Sequence, residues 1–597
     1  MKILIDKHEN HYMISSGFSQ RTISFIVFGL LLLNLSLRVA VALKPIEHVD
    51  DVAIPDDAYL SLTIARNIAE GHGPFYGTGY TNGFQPLYVL LMVPVFAVLP
   101  ESDIIPIHIA LFLLILFDTI ALYFLITLVR RISASPFTSF IIAIAWIFNP
   151  ITIRVALNGL ETSIASLFII WIISYYQQYI VDKEVLTIRR ILTFGIIAGL
   201  GVMARIDLLL LLAALFGMLT WKWRTNVPSL IKHFGFIFLG MALTYGPWLM
   251  YSYWYTGDLY PISGKAVRFM ELQRAALSSS FFDWQLAMLR RGFFVFLNNN
   301  LTILLVGGLL FIPIVSAGSP FITRLRQQFS LVPVLFTTSG VLYCIHVFYI
   351  VARWSYDLNI QPLGILTIVV GGLFYILPLL RGSRFIAALG RNSQILIPVF
   401  LYAVTLFLAY VFYIYGIWYF ERYLHPITIV VLLVAVPLFD TMISILSSAR
   451  KQAGVLIALV CIIIAINCSN DDFRRLYEVS DIQRQGYLKL GRWASTAFPD
   501  SAVIGSCQTG ALGYFVRNAT VINLDGVVNK ECYEALVKRK SISYIRSQNI
   551  HYVVGWELNT KFLERLSDEP FMLELRPDSV LNTIESWEHR WFLYTVR

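Results

Sequence analysis

Residues 44–85 read KPIEHVDDVAIPDDAYLSLTIARNIAEGHGPFYGTGYTNGFQ. This polar stretch lies between two strongly apolar ones, and its placement decides the fold. The apolar run before it, 23–43, is long enough to span a bilayer, whose hydrocarbon core takes about 20 helical residues. No small-residue cleavage site follows that run, so it reads as a signal anchor. The run after it, 86–99 (PLYVLLMVPVFAVL), is short and carries Pro86 and Pro94. It is expected to lie at the interface as a helix without crossing. Residues 44–104 then form one loop on one side of a membrane.

Composition agrees with a membrane chain. Of 597 residues, 57% are hydrophobic and 14% charged, against about 25% charged in soluble domains. The net charge of +9 is not gathered into a patch, which argues against nucleic acid as a partner and makes the lipid bilayer the expected one. The five cysteines (Cys344, Cys461, Cys468, Cys507, Cys532) show no CxxC or Cys/His metal spacing. Cys507 and Cys532, in the polar tail, are expected as free thiols.

By the ~20-residue criterion the chain has about 13 spans. They lie near 22–43, 105–129, 137–155, 161–181, 191–204, 206–222, 232–253, 297–317, 330–352, 358–379, 394–415, 424–447 and 452–468. With the N-terminus in the cytoplasm and 86–99 not crossing, the basic clusters fall inside: Lys2, Lys7 and Arg21, then Arg130–Arg131, Lys183 with Arg189–Arg190, Lys222 with Arg224, Arg324 with Arg326, Arg381 with Arg384, and Arg450–Lys451. If 86–99 crossed, nearly all of them would fall outside, so the positive-inside rule selects the first arrangement. It puts 44–104, 254–296 and the tail 470–597 outside the cytoplasm, in a multi-pass protein of a bacterial-type plasma membrane. The expected organisation is a membrane part, 1–469, and an extracytoplasmic domain, 470–597.

The tail has mixed charge and alternating strand and helix signals. Residues 502–505, 520–524 and 551–555 read as strands and 531–548 as helical, giving a small α/β domain. No phosphate loop or hydrolase elbow is present, and there is no internal repeat.

The first loop carries the chemistry. Pro55-Asp56-Asp57 reads as a helix start with Asp56 as cap, the helix running to about Glu70 and ended by Gly71 and Gly73. Capping explains one aspartate; two beside a bilayer suit a general base or a divalent ion. If an ion is held, Asp56, Asp57 and His72 are its candidate ligands; no cofactor is required by the sequence.

Five patches carry a resemblance: Asp56-Asp57-Ala58-Tyr59, Ile64-Ala65-Arg66-Asn67, Glu70-Gly71-His72-Gly73, Gly79-Tyr80-Thr81-Asn82 and Gln85-Pro86-Leu87-Tyr88. They resemble the first-loop signature of the GT-C superfamily of membrane glycosyltransferases, which use polyprenyl-phosphate sugars. Lipid A aminoarabinose transferases, protein O-mannosyltransferases and cell-wall arabinofuranosyltransferases are similar, the last most of all. The resemblance implies a GT-C fold, an inverting transfer to a cell-envelope glycan, lipid or protein, and Asp56 as base with Asp57 beside it. Tyr59, His72 and Gln85 are the substrate-side residues that it adds.

Later outer ends add candidates. Asn158-Gly159-Leu160-Glu161 is a turn into a helix, with Glu161 either a helix-start acid or a substrate ligand. Arg205 and Asp207 sit between two short apolar runs, at a depth where ionisable residues default to function. They read either as an internal ion pair or, for Arg205, as a phosphate ligand with a planar fork; related transferases place a lysine there. Lys265, in Ser263-Gly264-Lys265, either reaches a phosphate or marks the interface. Arg422, in Arg422-Tyr423-Leu424-His425-Pro426, matches the usual family form and is a second phosphate candidate. A flippase of lipid-linked saccharides is the alternative. It would put broken helices and charges near the midplane in paired halves, whereas these charges gather at outer ends. A silent scaffold with an exposed head is the other alternative, opposed by the double aspartate and Arg205.

Overall fold

The computed structural model describes residues 19–183, 186–278, 280–318, 389–446, 448–479, 485–570, 573–586 and 589–596. The predicted spans 330–352 and 358–379 lie outside these residues, as do Lys2, Lys7, Arg324, Arg326, Arg381, Arg384 and Cys344. Among the described residues seven helices are long and apolar enough to cross a membrane: Arg21–Ala42, Ile105–Ile132, Thr162–Val181, Val227–Thr256, Ser393–Ile414, Phe420–Ser444 and Arg450–Cys468. Shorter apolar helices cover Pro86–Val98, Pro136–Phe148 and Leu208–Trp223. The 13 residues of Pro86–Val98 span about 20 Å, less than the ~30 Å hydrocarbon core.

The predicted span 137–155 is two helices, not one. Pro136–Phe148 stops at Asn149, whose side chain accepts from the amides of Ile151 and Thr152 and so starts Pro150–Val155. Pro150 has no amide to continue the ladder and its ring crowds the preceding turn. Elsewhere close packing replaces length. Helix Ile188–Ala204 lies against Val227–Tyr251 through glycines: a Cβ at Gly195 would fall 2.2 Å from the Ile237 carbonyl oxygen, and one at Gly199 2.0 Å from Thr244 Oγ1. Small residues four apart let backbones approach in this way, which suits helices that gain nothing from burying apolar surface in lipid.

The first loop holds a two-stranded pair, β1 (Phe75–Tyr76) and β2 (Gly79–Tyr80). The C-terminal domain is built on β3 (Val503–Ser506), β4 (Thr520–Asn523), β5 (Tyr552–Trp556), β6 (Leu573–Arg576), β7 (Glu585–Ser586) and β8 (His589–Val596), in the order β4-β3-β5-β8-β6 with β7 against the start of β8. Strands β3, β4 and β5 are parallel, and β8 runs antiparallel to β5 and to β6. Helices Lys530–Val537 and Ser541–Ser547 fill the connection expected at 531–548. Cys507 and Cys532 are free and buried in its core.

This domain does not stand apart from the first loop. Tyr76 donates to the Thr509 carbonyl at 2.6 Å, Arg517 pairs with Asp103 at 2.6 Å, and Arg492 pairs with Glu47 at 2.6 Å. A Cβ on Gly83 would lie 2.1 Å from the Val527 carbonyl oxygen. The loop is thus held between the ends of the spans and the sheet domain.

Candidate functional site

Helix Asp56–Ala69 begins at the residue expected to cap it, so the cap lies one residue earlier. Pro55 holds the N-cap position without a side-chain bond, and Asp56 and Asp57 are its first-turn acids. Asp56 therefore does not cap its own helix. Its two carboxylate oxygens instead accept from Gly510 N at 2.8 Å and Ala511 N at 2.9 Å, in the C-terminal domain. Burial pushes this carboxyl up to about 7, against the pull of the Ala511 and Gly510 amides, and neighbouring Asp57 adds to the rise. Each of the two oxygens is thus engaged by one backbone amide of the C-terminal domain.

Asp57 points elsewhere. Its Oδ2 accepts from Arg422 Nη2 at 3.1 Å, its side chain is 35% exposed, and among the described residues its Oδ1 has no recorded donor. Arg422 lies over the rings of Tyr419 and Tyr423, 5.2 and 5.1 Å from their centroids. Beneath it sits Arg205, with 2% of its side chain exposed. Arg205 donates to the Arg422 carbonyl at 3.2 Å and to Tyr410 Oη at 3.2 Å, and it pairs with Asp207. Tyr410 in turn donates to Asp207 at 2.7 Å and stacks on Tyr423 at 4.4 Å. The ion pair and the approach to Arg422 are both present: Arg205 is the buried floor, and Arg422 is the cation that reaches the acid of the first loop.

Glu161 is brought in by its turn. Gly159 has a φ of +63° and a Cβ there would stand 3.0 Å from Ala58 Cβ, so only glycine lets the turn press on the first-loop helix. Glu161 is buried and lies within electrostatic range of Arg205 and Arg422; its carbonyl accepts from Ala165 N at 2.9 Å, and its carboxylate meets no hydrogen-bond donor among the described residues.

Other expected residues are placed away from this group. Lys265 is held by Asp258, which Lys530 of the C-terminal domain also meets at 3.1 Å; Asp258 thus latches the segment 258–265 to the C-terminal domain, and no described contact joins Lys265 to Arg205 or Arg422. The His72 side chain is 65% exposed and 3.6 Å from Glu70. Asp56, Asp57 and His72 are not brought together, and among the described residues no three His, Cys, Asp or Glu lie close enough to hold a metal ion. The expected ligand set does not fit a divalent ion, because amides occupy Asp56 and the imidazole sits at the surface. Tyr59 is buried, donates to Asp50 at 2.5 Å and packs on Tyr514 and Phe515, so it seats the loop against the C-terminal domain. Gln85 precedes helix Pro86–Val98 at its N-cap position without a side-chain cap bond.

Three contributors escaped sequence reasoning. Tyr410 lies in a π-helical turn, Tyr410–Ile414, at the end of a span, a distortion common at functional sites. Arg268, in helix Ile262–Ala275, lies 4.1 Å from the Tyr413 ring centroid, and its buried Nε has no partner. Asp525 follows β4 and is pushed up to about 7 by burial, the Val527 amide and Asn523 pulling down and the charges of Asp57 and Asp56 adding to the rise. An aspartate followed by a glycine after a strand is a weak signal, and only folding sets it near the first loop.

Residues 476–592 match a family model described as a domain of unknown function, DUF8728. No curated protein matches the chain. Among solved structures it is similar to the archaeal oligosaccharyltransferase AglB from Archaeoglobus fulgidus in complex with an inhibitory peptide and a dolichol-phosphate: 12% identity over 91% of this chain and 70% of that one, TM-score 0.47. The apo form of the Archaeoglobus fulgidus oligosaccharyltransferase gives 12% identity over 93% and 72%, TM-score 0.49. ArnT from Cupriavidus metallidurans bound to undecaprenyl phosphate gives 11% identity over 95% and 98%, TM-score 0.44.

Proposed function

We propose that the protein is an inverting glycosyltransferase that moves a sugar from a polyprenyl-phosphate donor to a glycan, lipid or protein acceptor at the extracytoplasmic face of a plasma membrane. The single observation that carries the reading is the Asp57–Arg422 pair, 3.1 Å apart, set over buried Arg205 where the first loop meets the span ends. The first-loop resemblance supports the same chemistry, and the basic clusters support the orientation.

In this reading Asp57, not Asp56, is the base. The acceptor hydroxyl gives its proton to an Asp57 oxygen as it attacks the anomeric carbon. The bond from that carbon to the phosphate oxygen breaks, and the new glycosidic bond forms on the opposite face with inversion. The departing phosphate carries the electron pair and is held by Arg422, whose planar fork suits it. Arg205 supplies further positive charge around it, and a fixed charge in a water-poor site needs no reorganisation as the bond breaks. Arg422 bound to phosphate is drawn from Asp57, which leaves the carboxylate free to take the proton. Glu161 is assigned to a donor-sugar hydroxyl. No metal is used in these steps.

The test is turnover by purified protein in lipid nanodiscs, supplied with undecaprenyl-phosphate sugars carrying a radiolabelled hexose or pentose. Release or transfer of label by the wild type, lost in Asp57→Asn, supports the reading. Equal turnover by Asp57→Asn removes Asp57 as base. Label that moves across the bilayer still attached to lipid, without transfer, points instead to a flippase.

A further inference from the structure

Asp56 is buried and engaged at both oxygens, and the residues around it form a pattern that the transfer chemistry does not explain. Helix Asp56–Ala69 runs along the segment Gly510–Phe515 of the C-terminal domain and grips it at both ends. At one end Asp56 accepts from the amides of Gly510 and Ala511. At the other, ten residues on, Arg66 donates to the carbonyls of Tyr514 at 2.8 Å and Gly513 at 3.2 Å, and its guanidinium lies 5.1 Å from the Tyr514 ring centroid. Tyr59 packs on Tyr514 and Phe515 between the two grips, with ring centroids 5.6 and 5.7 Å away. Tyr76 adds a third polar tie through the Thr509 carbonyl.

The fit is close enough to admit no side chain. A Cβ at Gly510 would stand 1.9 Å from the Asp56 carbonyl oxygen, and one at Gly513 2.4 Å from Tyr76 Oη. Every polar group in the contact meets a backbone group of opposite character, so the contact fixes the helix both along its axis and about it. Rotation about the axis matters most. Adjacent residues on a helix point about 100° apart, so with Asp56 locked onto the C-terminal domain, Asp57 is turned toward Arg422.

We propose that Asp56 and Arg66 are positioning residues, and that the C-terminal domain acts as an in-cis clasp that aims Asp57 at the reacting centre. The inference rests on the proposed transfer reaction and gives the domain a role in its rate, not in donor capture. The donor contacts, Arg422 and Arg205, come from other elements and are untouched by the clasp.

The experiment is a double-mutant cycle on the full-length protein. Asp56→Asn replaces one acceptor oxygen by an amide that opposes an amide, and Arg66→Met removes the other grip while keeping an apolar stem. Turnover of a radiolabelled undecaprenyl-phosphate sugar and binding of undecaprenyl phosphate are measured for each. Each single variant is expected to lower kcat by about 10-fold to 100-fold, the scale of a misplaced catalytic group, with donor KM and undecaprenyl phosphate affinity unchanged. Arg66→Lys should recover part of the loss. The double variant should be no slower than the worse single, because both act through one contact. Wild-type kcat in Arg66→Met, or losses that multiply in the double variant, would overturn the proposal and return Asp56 to a direct role at the substrate. If Asp56→Asn does not accumulate folded, Tyr76→Phe replaces it in the cycle under the same criteria. Failure of the wild type to turn over any donor is a different result: it defeats the transferase reading.

Discussion

Two clusters of this molecule combine two cations with carboxylate, and they do different things. Asp258 holds Lys265 and Lys530 at the surface, all three side chains between 22% and 35% exposed. Arg205 and Arg422 sit with Asp207 and Asp57 over a floor of Tyr410, Tyr419 and Tyr423. Water screens the first, whose worth is roughly 0–1 kcal/mol for each exposed pair. In the second, Arg205 and Asp207 are desolvated, at 2% and 8% exposure, and costly to leave unpaired, while Arg422 at 14% and Asp57 at 35% keep contact with water. Depth separates the latch from the group proposed to hold phosphate.

The largest expected effect tests the buried cluster at its acid. Asp57→Asn should lower kcat by about 10²–10⁴-fold, the usual contribution of a placed base, with donor binding kept; turnover within threefold of wild type would break the comparison. The two arginines should then part company. Arg422→Ala should cost about 10²–10³-fold in kcat, as loss of one group stabilising a developing anion does, with a small change in thermal stability. Arg205→Ala should instead destabilise the protein by roughly 3–5 kcal/mol, because it strands Asp207 in the interior, and replacing both by leucine should restore most of that. Thermal unfolding beside initial rates distinguishes them.

A smaller effect is expected from pH. Burial raises Asp50, Asp56 and Asp525 to about 7 each. Between the ordinary aspartate range near 4 and 7, the folded protein binds more protons than the unfolded chain, so stability should fall as pH rises through that window and level off above it. Unfolding midpoints at pH 5, 6, 7 and 8 measure this, and Asp56→Asn should flatten the slope. The smallest effect belongs to the latch: Lys265→Ala should change donor KM less than about threefold, since an exposed pair contributes little. A tenfold rise in donor KM would place Lys265 on the phosphate after all.

Much of this was legible along the chain because it is local. Apolar runs mark spans, and an acidic pair after Pro55 marks the loop helix. The break at Asn149-Pro150 inside the expected span 137–155 and the close-packing face of GIIAG at 195–199 went unread, because hydropathy alone passes over both. The assignments that changed depend on distant partners. Lys265 and Arg422 look alike as single cations near an outer end; one meets Asp258 seven residues away, the other Asp57 at a separation of 365. Asp525 carries no pattern by itself, and only packing brings it near Asp57.

The sequence by itself determined that this chain is a membrane protein with a polar, acidic first loop and a mixed C-terminal domain, because hydropathy, charge bias and turn residues act over tens of residues. Only the tertiary structure decided which partner each of two adjacent aspartates meets. Asp56 is claimed by backbone amides 454 and 455 positions along the chain, and its neighbour, turned about 100° away on the same helix, is left to meet Arg422.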